Sequence, residues 1–405
     1  MEPRGPTCAA LLLLAAGRVA ASPQIPGAPV EDPTGRALAG FRAALDQLRA
    51  GPTELVRIVH LGDSHVAADS MTGAVRRSLQ SRYGDGGPGL LMPGTPWPHF
   101  RHGGVRTGGA GWSATRITRA APEDGPVGLT GVVMAADEPG ATAWVEAEDA
   151  QTGARASLVE LHYLKDPAGG RLQVKIDDHV RASLSTAGSR VEPAFWSTEV
   201  EDGLHRVEVI ATGGGKVRIL GISLRRPSGI VYDALGVNGA RFAHWQRADE
   251  DVLAAELGRN PPALIVTTFG TNDVDDDDAT GEEHRRALLA TLALLRRAAP
   301  AASCLVMGPP DRAVRAIVRG GRRAPPRRVW QTSPALAAVV TAARQAALQS
   351  GCAFWNTFAA MGGRGTMRRW AAASPPLAGR DHVHLTSGGY HLIADSLATA
   401  IVGSP

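Results

Sequence analysis

The 405-residue chain is poor in lysine: only Lys165, Lys175 and Lys216 interrupt a set of 43 basic residues that is otherwise arginine. Cysteine is scarce too, at three, and no Cys/His cluster has zinc spacing. A disulfide-built scaffold and a zinc module are therefore excluded. No apolar run reaches the roughly 18 residues that a membrane-crossing helix needs, which argues against a membrane-spanning protein. The formal charge of +4 is small for this length. The densest basic stretch, Arg312 to Arg328, carries Arg322, Arg323, Arg327 and Arg328 beside Pro325 and Pro326. It reads as a solvated, proline-broken surface loop rather than a nucleic-acid face. Gly 48 and Pro 28 follow no Gly-X-Y period, so the chain is loop-rich and not collagenous.

What is present supports real cores. Hydrophobic residues make up 44% and charged residues 20%, and the length suits two or three domains. Residues 1–21 have the form of a secretory leader: Arg4, an apolar stretch from Cys8 to Ala16, then Val19-Ala20-Ala21 before Ser22. Export to a periplasmic or extracellular space is expected. Cys304 and Cys352 sit in apolar runs and are expected to be two buried core thiols, although an oxidising compartment would allow them to pair.

Residues 22–52 read as a Pro/Gly linker followed by a helix over 37–50, with Leu38, Phe41, Leu45 and Leu48 at helical spacing. A strand, Val56 to Leu61, runs into Gly62-Asp63-Ser64, and a single helix carrying Val66, Met71, Val75 and Leu79 is expected to follow. Residues 84–111 have no period, and the stretch 84–89 (GDGGPG) reads as a wide surface loop, since no Gly-Lys-Ser/Thr follows it. Between 112 and 228, short alternating runs separated by turn residues predict an antiparallel β-sandwich. After 229, strands and helices alternate: a strand over 263–269, a helix over 284–298, a strand over 303–307 and a helix over 335–348. That rhythm predicts a parallel sheet with helices on both faces. The sandwich at 112–228 is thus expected as an insertion into an α/β domain split into 53–111 and 229–405.

Four separated pieces can serve one reaction. Ser64 lies at a strand-to-helix turn, where a hydroxyl meets free backbone N–H groups and the positive end of a helix. A serine needs a base to take its proton. Asp381-His382-Val383-His384 supplies one: either histidine suits by type, and His384 alone has the i, i+3 spacing that lets Asp381 hold its ring. Asn272, in Gly270-Thr271-Asn272-Asp273, can donate to an oxyanion at the end of a buried strand. Gly239 lets a backbone N–H come close to substrate. The run Asp275 to Asp278 lacks the spacing of a calcium loop and reads as solvated, with no metal expected. Acids beside the site are expected to discourage anionic substrates.

Together these blocks resemble the SGNH (GDSL-like) hydrolase family. Gly62-Asp63-Ser64-His65 is similar to its nucleophile block, Gly239 falls in its glycine block, Gly270-Thr271-Asn272-Asp273 is similar to its Gly-x-Asn-Asp block, and Asp381-x-x-His384 to its last block. The resemblance implies a three-layer, flavodoxin-like α/β fold and a triad of Ser64, His384 and Asp381. It also implies an oxyanion hole made by Ser64, Gly239 and Asn272, and no cofactor. His65, the loop 83–89 and the run 355–363 resemble bacterial peptidoglycan O-acetylesterases, whose inserted sandwich is similar to a carbohydrate-binding module. The implied activity is removal of acetyl groups from a cell-wall glycan. An O-acetyltransferase, an esterase for another polysaccharide, and a non-catalytic glycan-binding protein remain as alternatives, as does a purely structural role for the sandwich.

Overall fold

The structure, a computed structural model, describes residues 25–51, 54–98, 100–119, 125–148, 153–275, 281–318 and 326–403. The leader-like residues 1–21 lie outside these, and so do the acidic run beyond Asp275 and the side chain of Asp275. Among the described residues no helix is long and apolar enough to cross a membrane.

A six-stranded sheet organises the α/β part. Its order is Val30–Glu31, Ala353–Trp355, Ser303–Met307, Leu264–Thr268, Leu55–Gly62, Gly229–Gly236. All neighbours run parallel except the short edge strand Val30–Glu31. Numbered along the chain, the five parallel strands have the flavodoxin-like order 2-1-3-4-5. Connections leave Leu55–Gly62 and Leu264–Thr268 in opposite directions, and a crevice opens between their carboxyl ends.

Both faces of the sheet are covered, which is why its strands read as unbroken apolar runs. Ile58, Leu264, Val266 and Trp355 pack under helices Ala39–Ala50, Ser70–Tyr83 and Ser387–Val402, through Phe41, Leu45, Val75, Leu79, Ile393 and Leu397. Val59, Leu61, Ile265, Val306 and Phe354 meet helices Glu250–Arg259, Glu282–Ala298 and Leu336–Gln349 on the other face. Each fully buried Val or Leu of this kind contributes about 1.5–3 kcal/mol.

The antiparallel part is two facing sheets. One has the order His179–Ser185, Arg171–Ile176, Arg206–Gly213, Thr142–Ala147, Val105–Ala110. The other has Glu192–Gly203, Ala156–Lys165, Val217–Arg225, Val132–Ala136, Ser113–Arg116, with Gly89–Leu91 paired to Val217–Arg225. Alternating side chains such as Val145, Val174, Val207 and Ile219 fill the space between them.

Five expectations are corrected. The stretch 84–89 is no wide surface loop: it runs against Gly229–Gly236, with Gly86 N–H bonded to Ile230 O at 3.0 Å and the Gln80 amide bonded to Gly87 O at 3.0 Å. Strands Gly89–Leu91 and Val105–Ala110 then bring antiparallel pairing into the chain before residue 112. The single helix after Ser64 is two, Ser64–Ala67 and Ser70–Tyr83, broken at Asp69 in the left-handed region (φ 50°). The break places the Asp69 carboxylate against Arg76 Nη2 (2.7 Å), Gly103 N–H (2.8 Å) and Thr72 Oγ1 (2.6 Å). Residues 313–318 and 327–332 form an antiparallel hairpin rather than an irregular loop. Among the described residues its strands pair only with each other, so no sheet-wide apolar pattern marks them. Cys304 and Cys352 are joined in a disulfide rather than left as thiols. Leu305 and Ala353 are partners on adjacent parallel strands, so the residues just before them also face one another.

Candidate active site

Strand Leu55–Gly62 delivers Ser64 to the crevice, and the short helix Ser64–Ala67 turns it back over the sheet. Asp63 caps that helix by accepting the His65 N–H at 2.9 Å. The helix can lie on the sheet because Gly236 ends the neighbouring strand: a Cβ there would sit 2.1 Å from Ala67 N. Asp63 is fully enclosed, and burial, reinforced by the charge of Asp273, pushes its carboxyl up to about 7 despite the His65 N–H.

Ser64 meets a residue 320 positions downstream. His384 Nε2 lies 2.9 Å from Ser64 Oγ, and His384 Nδ1 lies 2.7 Å from Asp381 Oδ2. Asp381 Oδ1 also accepts the backbone N–H groups of Val383 (3.0 Å) and His384 (3.1 Å), which fixes the carboxylate within its own turn. Partial burial alone would raise Asp381, but the His384 ring and those two N–H groups hold it below its ordinary value. Of the two candidate histidines, the structure turns His384 toward Ser64. His382 adopts a left-handed backbone (φ 57°) and stacks on Trp330 at 4.1 Å.

Asn272 and Gly239 come to the same end of the sheet on neighbouring loops. Asn272 Nδ2 donates to Ala240 O at 3.0 Å, tying the loop after Leu264–Thr268 to the loop after Gly229–Gly236. A primary amide has a second N–H, so this tie does not exhaust its donors. Gly239 has φ 79° and open space where a Cβ would be. Glycine is needed there for conformation, not for room.

Several residues beside these were not anticipated as parts of the site. His65 is buried, with Nδ1 2.9 Å from Tyr390 Oη and its ring 5.4 Å from that of His384. Burial lowers it to about 3, so it is neutral in the folded protein. One strand-step below, His60 bridges Tyr232 Oη (2.7 Å) and Thr268 Oγ1 (2.6 Å) and is likewise lowered to about 3 by burial. Arg312 bonds the carbonyl of Thr271, bracing the loop that carries Asn272. Only His65 had a sequence signal, as a histidine directly after the serine. Arg312 and Tyr390 are distant in sequence and match no motif. Among the described residues no group of three or more His, Cys, Asp or Glu side chains is placed to hold a metal ion.

A GDSL-like lipase/acylhydrolase family model matches residues 199–392, a span that includes Gly239, Asn272, Asp381 and His384. The chain has the fold of an SGNH hydrolase. It is similar to a solved structure described as a peptidoglycan O-acetylesterase in action: 25% identity, 90% of this chain and 95% of that one covered, TM-score 0.71. Other similar structures are a family two carbohydrate esterase from Clostridium thermocellum bound to cellohexaose (12% identity, 65% and 92% covered, TM-score 0.30) and an acetyl xylan esterase (17%, 42% and 78%, TM-score 0.29). Their overlap with this chain is too loose to carry an argument. No curated protein sequence matches it.

Proposed function

We propose that this SGNH hydrolase is an exported esterase that removes O-acetyl groups from a cell-wall glycan, with O-acetylated peptidoglycan as its substrate. The carrying observation is the continuous relay from Asp381 Oδ2 through His384 to Ser64 Oγ, at 2.7 and 2.9 Å. Likeness to the peptidoglycan O-acetylesterase over 90% of the chain supports the substrate class. The Cys304–Cys352 disulfide suits an oxidising compartment and supports export, together with the leader-like residues 1–21.

In this reading His384 Nε2 takes the proton of Ser64 as its Oγ attacks the acetyl carbonyl. Asp381 keeps the imidazole oriented and stabilises it when it becomes charged. The oxyanion is held by the N–H groups of Ser64 and Gly239 and the second N–H of the Asn272 amide. His384 then protonates the departing sugar hydroxyl, leaving acetyl-Ser64. Water, deprotonated by the same ring, releases acetate.

The test is acetate release from O-acetylated peptidoglycan by the mature protein and its Ser64→Ala variant, with acetylated xylan for comparison. Release from peptidoglycan that disappears in the variant is expected. Cleavage of xylan alone would refute the substrate, and undiminished release by Ser64→Ala would refute the nucleophile.

A further inference from the structure

The hairpin of Ala313–Val318 and Arg327–Thr332 is bound to the loop that carries Asp381 and His384. Ala313 N–H donates to His382 O at 3.0 Å, and Trp330 stacks on the His382 ring. Its base is pinned by Asp311, a fully buried carboxylate that accepts Thr332 Oγ1 (2.8 Å) and the Met367 N–H (2.8 Å). Beyond that base most side chains of the two strands are half-buried or exposed.

Strand alternation sorts the hairpin's side chains. Arg315 faces Trp330 across the pair and Ile317 faces Arg328, so these four share the face on which Trp330 meets His382. The guanidinium of Arg315 lies over the Trp330 ring at 5.0 Å. Ile317 is 65% exposed, and Arg315 and Arg328 are exposed as well. Arg315, Arg327 and Arg328 make no ion pair among the described residues, nor do the exposed side chains of Arg364 and Arg380 beside the hairpin base and the Asp381 turn. The nearby acids are occupied: Asp311 as above, Asp381 with His384, and Asp273 at 3.0 Å from His284. Among the described residues, the hairpin side of the site therefore carries unneutralised positive charge on an aromatic and aliphatic strip.

We infer that this strip, Arg315, Ile317, Arg328 and Trp330, binds the free carboxylates of peptides attached to the acetylated glycan. The esterase would then act on strands that still carry their peptides. The inference rests on the glycan-esterase reading above. In peptidoglycan one sugar bears both the acetyl ester and the lactyl-linked peptide, so an ester seated at Ser64 brings peptide carboxylates to the adjoining wall. Arginine forks on an apolar platform suit carboxylates on a peptide that also carries small apolar side chains.

The experiment measures kcat/KM on O-acetylated peptidoglycan strands and on the same strands with their peptide carboxylates converted to amides. Each value is divided by that for 4-nitrophenyl acetate, a substrate too small to span the site and the hairpin. In Arg328→Gln and in Arg315→Gln/Arg328→Gln the ratio for charged strands should fall, by about fivefold or more in the double variant, chiefly through KM. The ratio for amidated strands should stay constant. Added salt should cause the same selective loss in the unaltered protein. Equal losses on both strands, or none on either, would overturn the inference while leaving the esterase reading standing. If the unaltered protein cleaves 4-nitrophenyl acetate but neither strand, the peptidoglycan-esterase reading itself fails and the inference with it.

Discussion

Two histidine–carboxylate contacts in this protein use the same chemistry for opposite ends. At the crevice, His384 holds Asp381 through one nitrogen and faces a serine hydroxyl through the other. At the joint between sandwich and α/β part, His162 on strand Ala156–Lys165 holds Glu256 of helix Glu250–Arg259 at 2.7 Å, and its second nitrogen faces Glu160 at 3.2 Å. Burial alone would discharge His162, but hydrogen bonds to Glu160 and Glu256 raise it above its ordinary value. Glu160 is shared with Arg259 (2.7 Å) and Arg225 (3.3 Å), and Glu256 Oε2 accepts the Leu129 N–H. A ring clamped between two carboxylates has no free nitrogen with which to take a proton. A ring with one carboxylate and one hydroxyl has. The identity of the second partner separates a structural clamp from a candidate base.

Breaking the histidine–carboxylate contact at each place should give contrasting outcomes. Asp381→Asn should lower kcat by about 10³–10⁴-fold with little change in Tm, because the ring would lose the partner that fixes its tautomer. A small kinetic loss would break the contrast. His162→Phe should do the reverse. Leaving Glu160 and Glu256 buried without their shared cation is expected to cost about 3–5 kcal/mol, read as a fall in denaturation midpoint, while kcat per folded molecule is kept. A variant with undiminished stability would show that the joint does not depend on the clamp.

A smaller kinetic effect is expected at Asn272→Ala, about 10²-fold in kcat, from loss of an oxyanion donor. Steady-state kinetics beside a melting curve would separate that loss from loosening of the Ala240 tie. The mildest effect is a pH slope in stability. His60 and His65 are held near 3, and His102 near 4, by burial. In the unfolded chain each takes a proton near 6.5. Between these values the unfolded state binds more protons, so stability is present above about 6.5 and is lost as pH falls toward 4. Asp63, raised to about 7, and His162, raised above its ordinary value, oppose this in part, because each favours the folded state as pH falls. Three histidines outweigh these two groups, so Tm should drop on acidification. A flat Tm from pH 7 to 4.5 would contradict the assignment of these rings as neutral.

The same contrast explains what could be read from the chain itself. The parallel strands at 56–61, 263–269 and 303–307 were legible because strands buried on both faces read as apolar runs that end at a stop such as Gly62, whereas Gly229–Gly236 was not anticipated. The blocks around Ser64, Asn272 and Asp381 were legible because each follows such a stop or opens a helix. The joint was not: Glu160 and His162 lie on a strand and Glu256 and Arg259 on a helix far along the chain, and nothing local shows that a charged residue on a strand has a buried partner on a helix. The hairpin was hidden for a related reason, since its arginines and prolines mask strands that pair only with each other. The disulfide was hidden because apolar flanks look alike around a buried thiol and a bonded sulfur. The break at Asp69 depends on Arg76 and Gly103, which a helical pattern running through Met71 and Val75 does not reveal.

The account's central claim is that Ser64 carries the acetyl group between the two half-reactions. Acid-quenched peptide mass analysis during turnover of 4-nitrophenyl acetate tests it most directly. An acetyl group on the peptide containing Ser64, absent together with turnover in Ser64→Ala, is the predicted result. An acetyl group on another residue, or full turnover by Ser64→Ala, would contradict it.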